Sequence, residues 1–102
     1  MNVSEFAKKI TESGVIVLDV RTPEEFSEGC IQGARNIDFQ SGRFENEITS
    51  LDKNATYAVY CRSGKRSGQA VKLLHDIGFH TVYNLEGGVI DWANEGMMLV
   101  KN

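Results

Sequence analysis

Apolar residues along the chain alternate between patterns typical of strands and patterns typical of helices. Residues 15–20 and 57–60 are short apolar runs rich in β-branched and aromatic side chains, as in strands buried on both faces of a parallel sheet. Ile37 with Phe39, and residues 81–84, predict two briefer strands. The chain is therefore expected to contain several short strands separated by longer segments.

Helical signals fill the segments between and around these strands. Thr22, Pro23 and Glu25 provide an N-cap, a proline at the first helical position and a capping-box glutamate, so a helix is predicted directly after the first strand. The spacing of apolar side chains predicts further helices at 5–13 after a cap at Ser4, at 44–51, from about Arg66 to a stop at Gly78, and at 89–94 with Trp92 facing inward.

The repeated order of strand, loop and helix predicts an α/β fold. Such alternation is typical of an open, mainly parallel sheet with helices on both faces, whose ligands bind outside the carboxyl ends of the strands. A length of 102 residues suits one core of ordinary size, so we expect a single domain over residues 1–102.

Composition narrows the class of protein. Apolar residues make up 41% and charged residues 25% of the chain, as in ordinary globular domains. The sequence has no apolar run long enough to span a bilayer and no apolar signal-peptide core at its start, so neither membrane insertion nor export is expected. Two distant cysteines, Cys30 and Cys61, are too few for a disulfide scaffold or a zinc cluster. We therefore expect a cytoplasmic protein with reduced thiols, no metal and no cofactor.

Charge is distributed unevenly along the chain. The net charge of −3 disfavours nucleic-acid binding. No acidic residue occurs between Lys53 and His75, although this stretch also contains Arg62, Lys65, Arg66 and Lys72. Cys61 lies inside this basic segment, at the predicted carboxyl end of a buried strand.

The loop from Cys61 to Ser67 is the strongest candidate for chemistry. A short loop between a strand and a helix N-terminus can turn its backbone N–H groups inward and favour negative charge at its centre. Helix N-termini and nearby cations also lower the pKa of a thiol, so Cys61 is a candidate thiolate nucleophile beside an anion site. The alternative is a small buried cysteine next to a solvated basic loop.

Four further motifs accompany this loop and point to a known family. In chain order they are Leu18-Asp19-Val20-Arg21, residues 24–26 (Glu-Glu-Phe), Gly29-x-Ile31-x-Gly33-Ala34-x-Asn36-Ile37, and Leu85-x-Gly87-Gly88 followed by Trp92. With the loop, they span nearly the whole length. The chain resembles a single-domain rhodanese, a sulfurtransferase of the thiosulfate type.

The resemblance implies a role for each residue of the loop. Cys61 would take a sulfane sulfur from a small anionic donor and hold it as a persulfide, which cyanide or a thiol, including a protein thiol, would then relieve of that sulfur. The amides of residues 62–66 would cradle the bound sulfur and the departing sulfite. The residues assigned to substrate binding are Arg62, Ser63, Gly64, Lys65 and Arg66, with the three cations attracting a dianionic donor.

Three residues are assigned supporting roles. Ser67 closes the loop, whereas Asp19 and Arg21 match a pair that the resemblance places near it, and a structural ion pair explains these two equally well. Cys30 stands where the family often has histidine and is either a resolving thiol or a small apolar packing residue. Asp38 stands where proline is frequent.

Two other functions are alternatives to sulfur transfer. One is a rhodanese-like module that docks a partner or relays sulfur between proteins. Loss of Cys61 would favour a purely binding role, so its retention favours chemistry. The other is a cysteine phosphatase, since some phosphatases resemble rhodaneses in fold. Their signature places arginine six residues after the cysteine, whereas here that position is Ser67 and Arg66 comes fifth.

Loop length therefore predicts sulfur rather than phosphate chemistry. In the tighter ring a tetrahedral phosphoryl group should lie too far from Cys61 for in-line attack, so near-attack geometry, which can supply about 7–11 kcal/mol of the barrier, would be lost. We expect negligible hydrolysis of an aryl phosphate beside thiosulfate:cyanide sulfur transfer at matched protein concentration. One glycine inserted between Gly64 and Lys65 should abolish the sulfur transfer, and Cys61-dependent phosphate hydrolysis by the unaltered chain would contradict this prediction.

Overall fold

The computed structural model describes residues 1–101 as an alternation of short helices and strands. In chain order these are α1 (Val3–Lys9), β1 (Val15–Asp19), α2 (Pro23–Glu28), β2 (Arg35–Asn36), α3 (Phe44–Ile48), β3 (Thr56–Tyr60), α4 (Lys65–Asp76), β4 (Thr81–Asn84) and α5 (Gly88–Asn94). Within the described residues, every helix falls short of the length and apolarity needed to cross a membrane.

The strands form one parallel sheet in the order β2-β1-β3-β4. In the pairing of β1 with β3, Asp19 lies opposite Tyr60, and the Val20 amide donates to the Tyr60 carbonyl at 3.0 Å. The loops that follow these two central strands therefore leave the same edge side by side. Because the chain turns to β2 after β1 and to β4 after β3, this is the crevice where ligands of open α/β sheets bind.

Helices cover both faces of the sheet, which confirms the predicted architecture. The core of one face combines side chains of β1 and β3 with Phe44 and Ile48 of α3 and Ala70 and Leu74 of α4. The opposite core contains residues of α1 and α5, and there the ring of Phe6 packs edge-on against that of Trp92 at a centroid distance of 6.1 Å. The continuous apolar runs of β1 and β3 follow from this double burial.

The first helix begins earlier than its sequence predicts. Asn2, not Ser4, is the cap: its side chain accepts from the Glu5 amide at 2.8 Å, and the Glu5 carboxylate accepts from the Asn2 amide at 3.0 Å. The helix also ends at Lys9 rather than at Ser13. Asparagine and serine are nearly equivalent caps, so the reciprocal bond with Glu5 decided between them.

The second strand also differs from the prediction. It covers Arg35–Asn36, whereas Ile37 and Phe39 lie just beyond it. Their amides still donate to the carbonyls of Asp19 and Val20, at 2.9 and 3.1 Å, so the segment follows the end of β1 without regular strand geometry. The alternation of apolar residues therefore predicted where the β2 segment lies, but not which of its residues pair with β1.

Cys30 is buried, with about 1% of its surface exposed. Its backbone forms an antiparallel bridge with Val100, in which each amide donates to the other carbonyl at 2.8 Å. Leu99 beside this bridge packs against the core, whereas Met98 is 82% exposed. This position of Cys30 fits the interpretation of a packing residue.

A buried ion pair between Asp19 and Arg21 lies at the carboxyl end of β1, and Tyr60 of β3 bonds to it. Arg21 Nη2 lies 2.7 Å from Asp19 Oδ2, and both residues are at most 5% exposed. Tyr60 donates its hydroxyl to the same carboxylate at 2.7 Å, and Arg21 also donates to the Gly29 carbonyl at 2.6 Å. Burial and the Asp19 charge raise the pKa of Tyr60 far above its usual range, so it remains a neutral donor. These contacts fit the alternative that Asp19 and Arg21 form a structural ion pair, and their supporting role near the loop stays a prediction.

Removing one partner of this pair should destabilise the fold strongly. Asp19→Ala leaves a buried guanidinium and the Tyr60 hydroxyl without their acceptor, and breaking such a pair lowers the free energy of unfolding by about 3–5 kcal/mol. Urea unfolding followed by circular dichroism measures the change. The matched control is Glu12→Gln, which removes an exposed ion pair with Lys9 and should lower the free energy of unfolding by less than about 1 kcal/mol. Equal effects of the two substitutions would contradict the prediction.

Candidate active site

Cys61 lies directly after β3, at the bottom of the loop that leads into α4. Its Sγ atom accepts from the Gly64 amide at 3.1 Å and from the Ser67 hydroxyl at 3.3 Å. The residue is about 1% exposed, and Ser67 is fully buried. The sulfur is therefore the focus of several donors rather than an ordinary packing atom.

The loop amides can face the sulfur because its carbonyls are bound on the outside. The carbonyls of Cys61 and Arg62 accept from the amides of Val89 and Ile90, at 3.0 and 3.1 Å, in the first turn of α5. The Gly64 carbonyl accepts from the Gly68 amide at 3.0 Å as α4 begins. The first two bonds satisfy orphan donors at the N-terminus of α5, and the third is the first regular bond of α4. With these carbonyls bound outside, the loop's own N–H groups turn inward.

Two glycines allow this close approach of loop and turn. Gly64 has a φ of +96°, and a β-carbon there would overlap the Glu86 carbonyl. Gly88 has a φ of +60°, and a β-carbon there would overlap the Arg62 carbonyl. Any side chain at either position would push the loop away from the turn before α5.

The donors around the sulfur favour its ionised form. Burial on its own raises the pKa of Cys61, but hydrogen bonds from the hydroxyl and amide of Ser67 and from the amides of Gly64 and Ser63 bring the pKa below its ordinary value. The sequence predicts that the loop cations contribute much of this lowering of the Cys61 pKa. In the structure, hydrogen bonds are the leading cause that lowers the pKa of Cys61.

The three cations of the loop are not equivalent. Arg62 and Lys65 are exposed and have no carboxylate partner within the described residues. Arg66 forms a two-pronged ion pair with Glu25, with Nη1–Oε1 and Nη2–Oε2 distances of 2.8 and 3.0 Å. The charge of Arg66 is therefore already paired within the protein, and the expectation that all three cations attract an anionic donor stays a prediction.

Glu25 is the contributor that sequence reasoning missed. The predicted capping box is present: the Thr22 hydroxyl oxygen accepts from the Glu25 amide at 3.3 Å, and the Thr22 amide donates to Glu25 Oε1 at 3.1 Å. The second role of the carboxylate, its pair with Arg66, joins residues 41 positions apart and leaves no local signal. Hydrogen bonds from Arg66 lower the pKa of Glu25 to about 2, so the carboxylate stays charged near neutral pH.

Asn84 is a second residue that the sequence did not single out. At the end of β4, its side-chain amide donates to the Gly64 carbonyl at 3.4 Å. The contact arises because β4 pairs with β3 and so ends beside the loop that follows β3. Asn84 therefore helps to hold that carbonyl away from the sulfur.

A cleft of about 220 Å³ lies beside the loop. Its lining combines two arginines and two glutamates with Gly29 and two apolar side chains: Arg21, Arg62, Glu25, Glu28, Gly29, Val89 and Leu99. A small ligand held here would meet charges of both signs and an apolar wall. Such a lining is suited to a group that approaches the loop from α2 and the C-terminal segment.

Comparison with known proteins identifies the family to which this fold belongs. The chain matches the rhodanese-like domain family over residues 2–95. It is 36% identical over 86 residues to a sulfurtransferase of Allochromatium vinosum, covering 84% of this chain and 78% of that protein. It is 40% identical over 76 residues to thiosulfate sulfurtransferase PspE of Escherichia coli, covering 74% and 72%.

Solved structures show the same likeness. A rhodanese-related protein from Thermoplasma volcanium superposes with a TM-score of 0.88 at 31% identity, over 100% of this chain and 97% of that one. A rhodanese-like domain protein from Staphylococcus aureus gives 0.84 at 33%, over 100% and 96%. The fold and the cysteine loop thus define a sulfurtransferase-type α/β domain. The chain belongs to the rhodanese-like domain family.

Ser67 should set the ionisation of Cys61. Ser67→Ala removes a hydroxyl donor from the thiolate, so the pKa of Cys61 should rise and alkylation by iodoacetamide at mildly acidic pH should slow about tenfold, since a hydrogen bond to a charged group contributes about 1.5–3 kcal/mol. Rates against pH, with modification mapped to the Cys61 peptide, measure the change. Ser63→Ala keeps its backbone amide and should leave the profile in place. Overlaying profiles for wild type and Ser67→Ala would contradict the assignment.

Proposed function

We propose that this chain is a sulfurtransferase that moves a sulfane sulfur from thiosulfate or a similar anionic donor to a thiophilic acceptor. The transfer runs through a persulfide on Cys61, and the acceptor is cyanide or a thiol, including a protein thiol. The supporting observation is the convergence of the Ser67 hydroxyl and the Gly64 amide on Cys61 Sγ, at 3.3 and 3.1 Å. Those donors favour a thiolate and, after transfer, an anionic persulfide.

The two half-reactions balance without a cofactor. The Cys61 thiolate attacks the outer sulfur of thiosulfate, a new S–S bond forms to Sγ, and the donor's S–S bond breaks with its electron pair leaving on sulfite. The acceptor anion then attacks the outer sulfur of the persulfide, and the Cys61 thiolate departs. In both steps one anion replaces another in the loop, so donors arranged for negative charge stabilise each state.

The other residues of the loop divide into two groups in this proposal. Arg62 and Lys65 are exposed cations that attract the anionic donor toward the loop. Arg66, paired with Glu25, holds the start of α4 against α2 and so positions the Ser67 hydroxyl. We place the reaction in the cytoplasm, because a reducing compartment keeps a catalytic thiol available.

Cys61, and not Cys30, should carry the transferred sulfur. Intact-mass measurement after exposure to thiosulfate should show the mass of one added sulfur atom on the wild type and on Cys30→Ser, because both retain the Cys61 nucleophile. Cyanide should then remove that mass and release thiocyanate. Cys61→Ser should gain no sulfur.

Three outcomes would contradict this proposal. If Cys61→Ser gains a sulfur atom, or if Cys30→Ser gains none, the nucleophile is Cys30. A stable sulfur adduct on Cys61 that neither cyanide nor a small thiol removes would favour a relay module that delivers only to a protein partner.

A further inference from the structure

Glu25 places a negative charge next to a site that the sequence shows as purely basic. Its side chain is about 25% exposed and that of Arg66 about 20%, so both ends of this ion pair are largely shielded from water. Shielding preserves the interaction, because partly buried charges are screened far less by salt than exposed ones. The pair is therefore a fixed part of the electrostatic field around Cys61.

The pairing changes which charges an incoming donor meets. Arg66 interacts electrostatically with the Cys61 thiolate as well as with Glu25. Arg66 would also attract an anionic donor that approaches the Cys61 thiolate. The Glu25 carboxylate, which Arg66 binds through both terminal nitrogens, offsets this attraction. Glu25 also lines the cleft beside the loop, where Glu28 adds a second carboxylate. The attraction for anions is thus left mainly to the exposed Arg62 and Lys65.

We propose that Glu25 is a specificity-determining residue that favours donors with a single negative charge over dianionic donors. The inference rests on the proposed sulfur transfer and adds the charge class of the donor. A nearby fixed carboxylate opposes each negative charge of the donor by the same amount, so a dianion is disfavoured twice as strongly as a monoanion of equal shape. Glu25 acts through Arg66 and the local field, without touching the reacting sulfur.

Two donors of nearly equal shape separate charge from size. Thiosulfate carries two negative charges, whereas methanethiosulfonate has a methyl group in place of one oxyanion and carries one. Attack by the Cys61 thiolate on the outer sulfur releases sulfite from the first and methanesulfinate from the second. In each case the donor's S–S bond breaks, the leaving group keeps the electron pair, and the same Cys61 persulfide forms.

The experiment compares kcat/KM for the two donors in wild type, Glu25→Gln and Glu24→Gln. Glutamine at 25 can still accept the Thr22 amide, so α2 keeps its cap. Glu25→Gln should raise the ratio of thiosulfate to methanethiosulfonate about three- to tenfold at low salt, and the gain should shrink at high salt. Glu24→Gln removes the same charge from the exposed side of the same helical turn and should leave the ratio unchanged.

A second readout does not require sulfur transfer. Alkylation of Cys61 by anionic iodoacetate, relative to neutral iodoacetamide, reports the local field on any folded sample. This ratio should also rise several-fold in Glu25→Gln and stay at the wild-type value in Glu24→Gln. The ratio of the two kcat/KM values is insensitive to an inactive unfolded fraction, whereas the alkylation ratio is read on variants that circular dichroism shows to be folded.

The reciprocal variant keeps the proposal testable if Glu25→Gln does not fold. Arg66→Gln leaves Glu25 charged and unmatched, so both ratios should fall below the wild-type values. Unchanged ratios in a folded Glu25→Gln or Arg66→Gln variant, or an equal shift in Glu24→Gln, would overturn the role of Glu25. Absence of sulfur transfer from either donor to wild type would instead contradict the proposed function, while the alkylation ratios would still decide the role of Glu25.

Discussion

The active loop depends on where its carbonyl groups are bound. Because the first amides of α5 bind the carbonyls of Cys61 and Arg62, and the start of α4 binds that of Gly64, the loop's N–H groups are left to point at one sulfur atom. A backbone with its carbonyls turned inward would repel a thiolate. The arrangement of donors around Cys61 is therefore a consequence of how two helix N-termini dock against one loop.

Two ion pairs lie near this loop, and they differ in how deeply they are buried. Asp19 and Arg21 form a buried pair under the sheet edge, and Glu25 and Arg66 form a half-buried pair between α2 and α4. The Glu25–Arg66 pair links α2 to α4, and the Asp19 carboxylate of the other pair is bound to β3 by the Tyr60 hydroxyl. Within residues 1–101, the exposed Arg62 and Lys65 have no carboxylate partner, so the unpaired loop charges lie at the surface and the paired charges lie below it.

Much of the fold could be read from local signals. The apolar runs at β1 and β3 predicted buried parallel strands because a strand covered by helices on both sides needs apolar residues at successive positions. Thr22, Pro23 and Glu25 located the start of α2, since capping is a local interaction. The prediction that Ser4 caps α1 was wrong, because Asn2 is an equally good capping residue within the same turn and is the one that caps the helix.

The sequence by itself predicted the candidate nucleophile, the loop around it and the order of strands and helices, and it carried the resemblance to the family, because each of these depends on residue types at short spacing. Only the tertiary structure decided which loop charges are available to a ligand. Glu25 and Arg66 come together because α2 and α4 pack at the same edge of the sheet, and Asn84 reaches Gly64 because β4 pairs with β3. Contacts of this kind depend on packing across the sheet, which leaves no periodic mark along the chain.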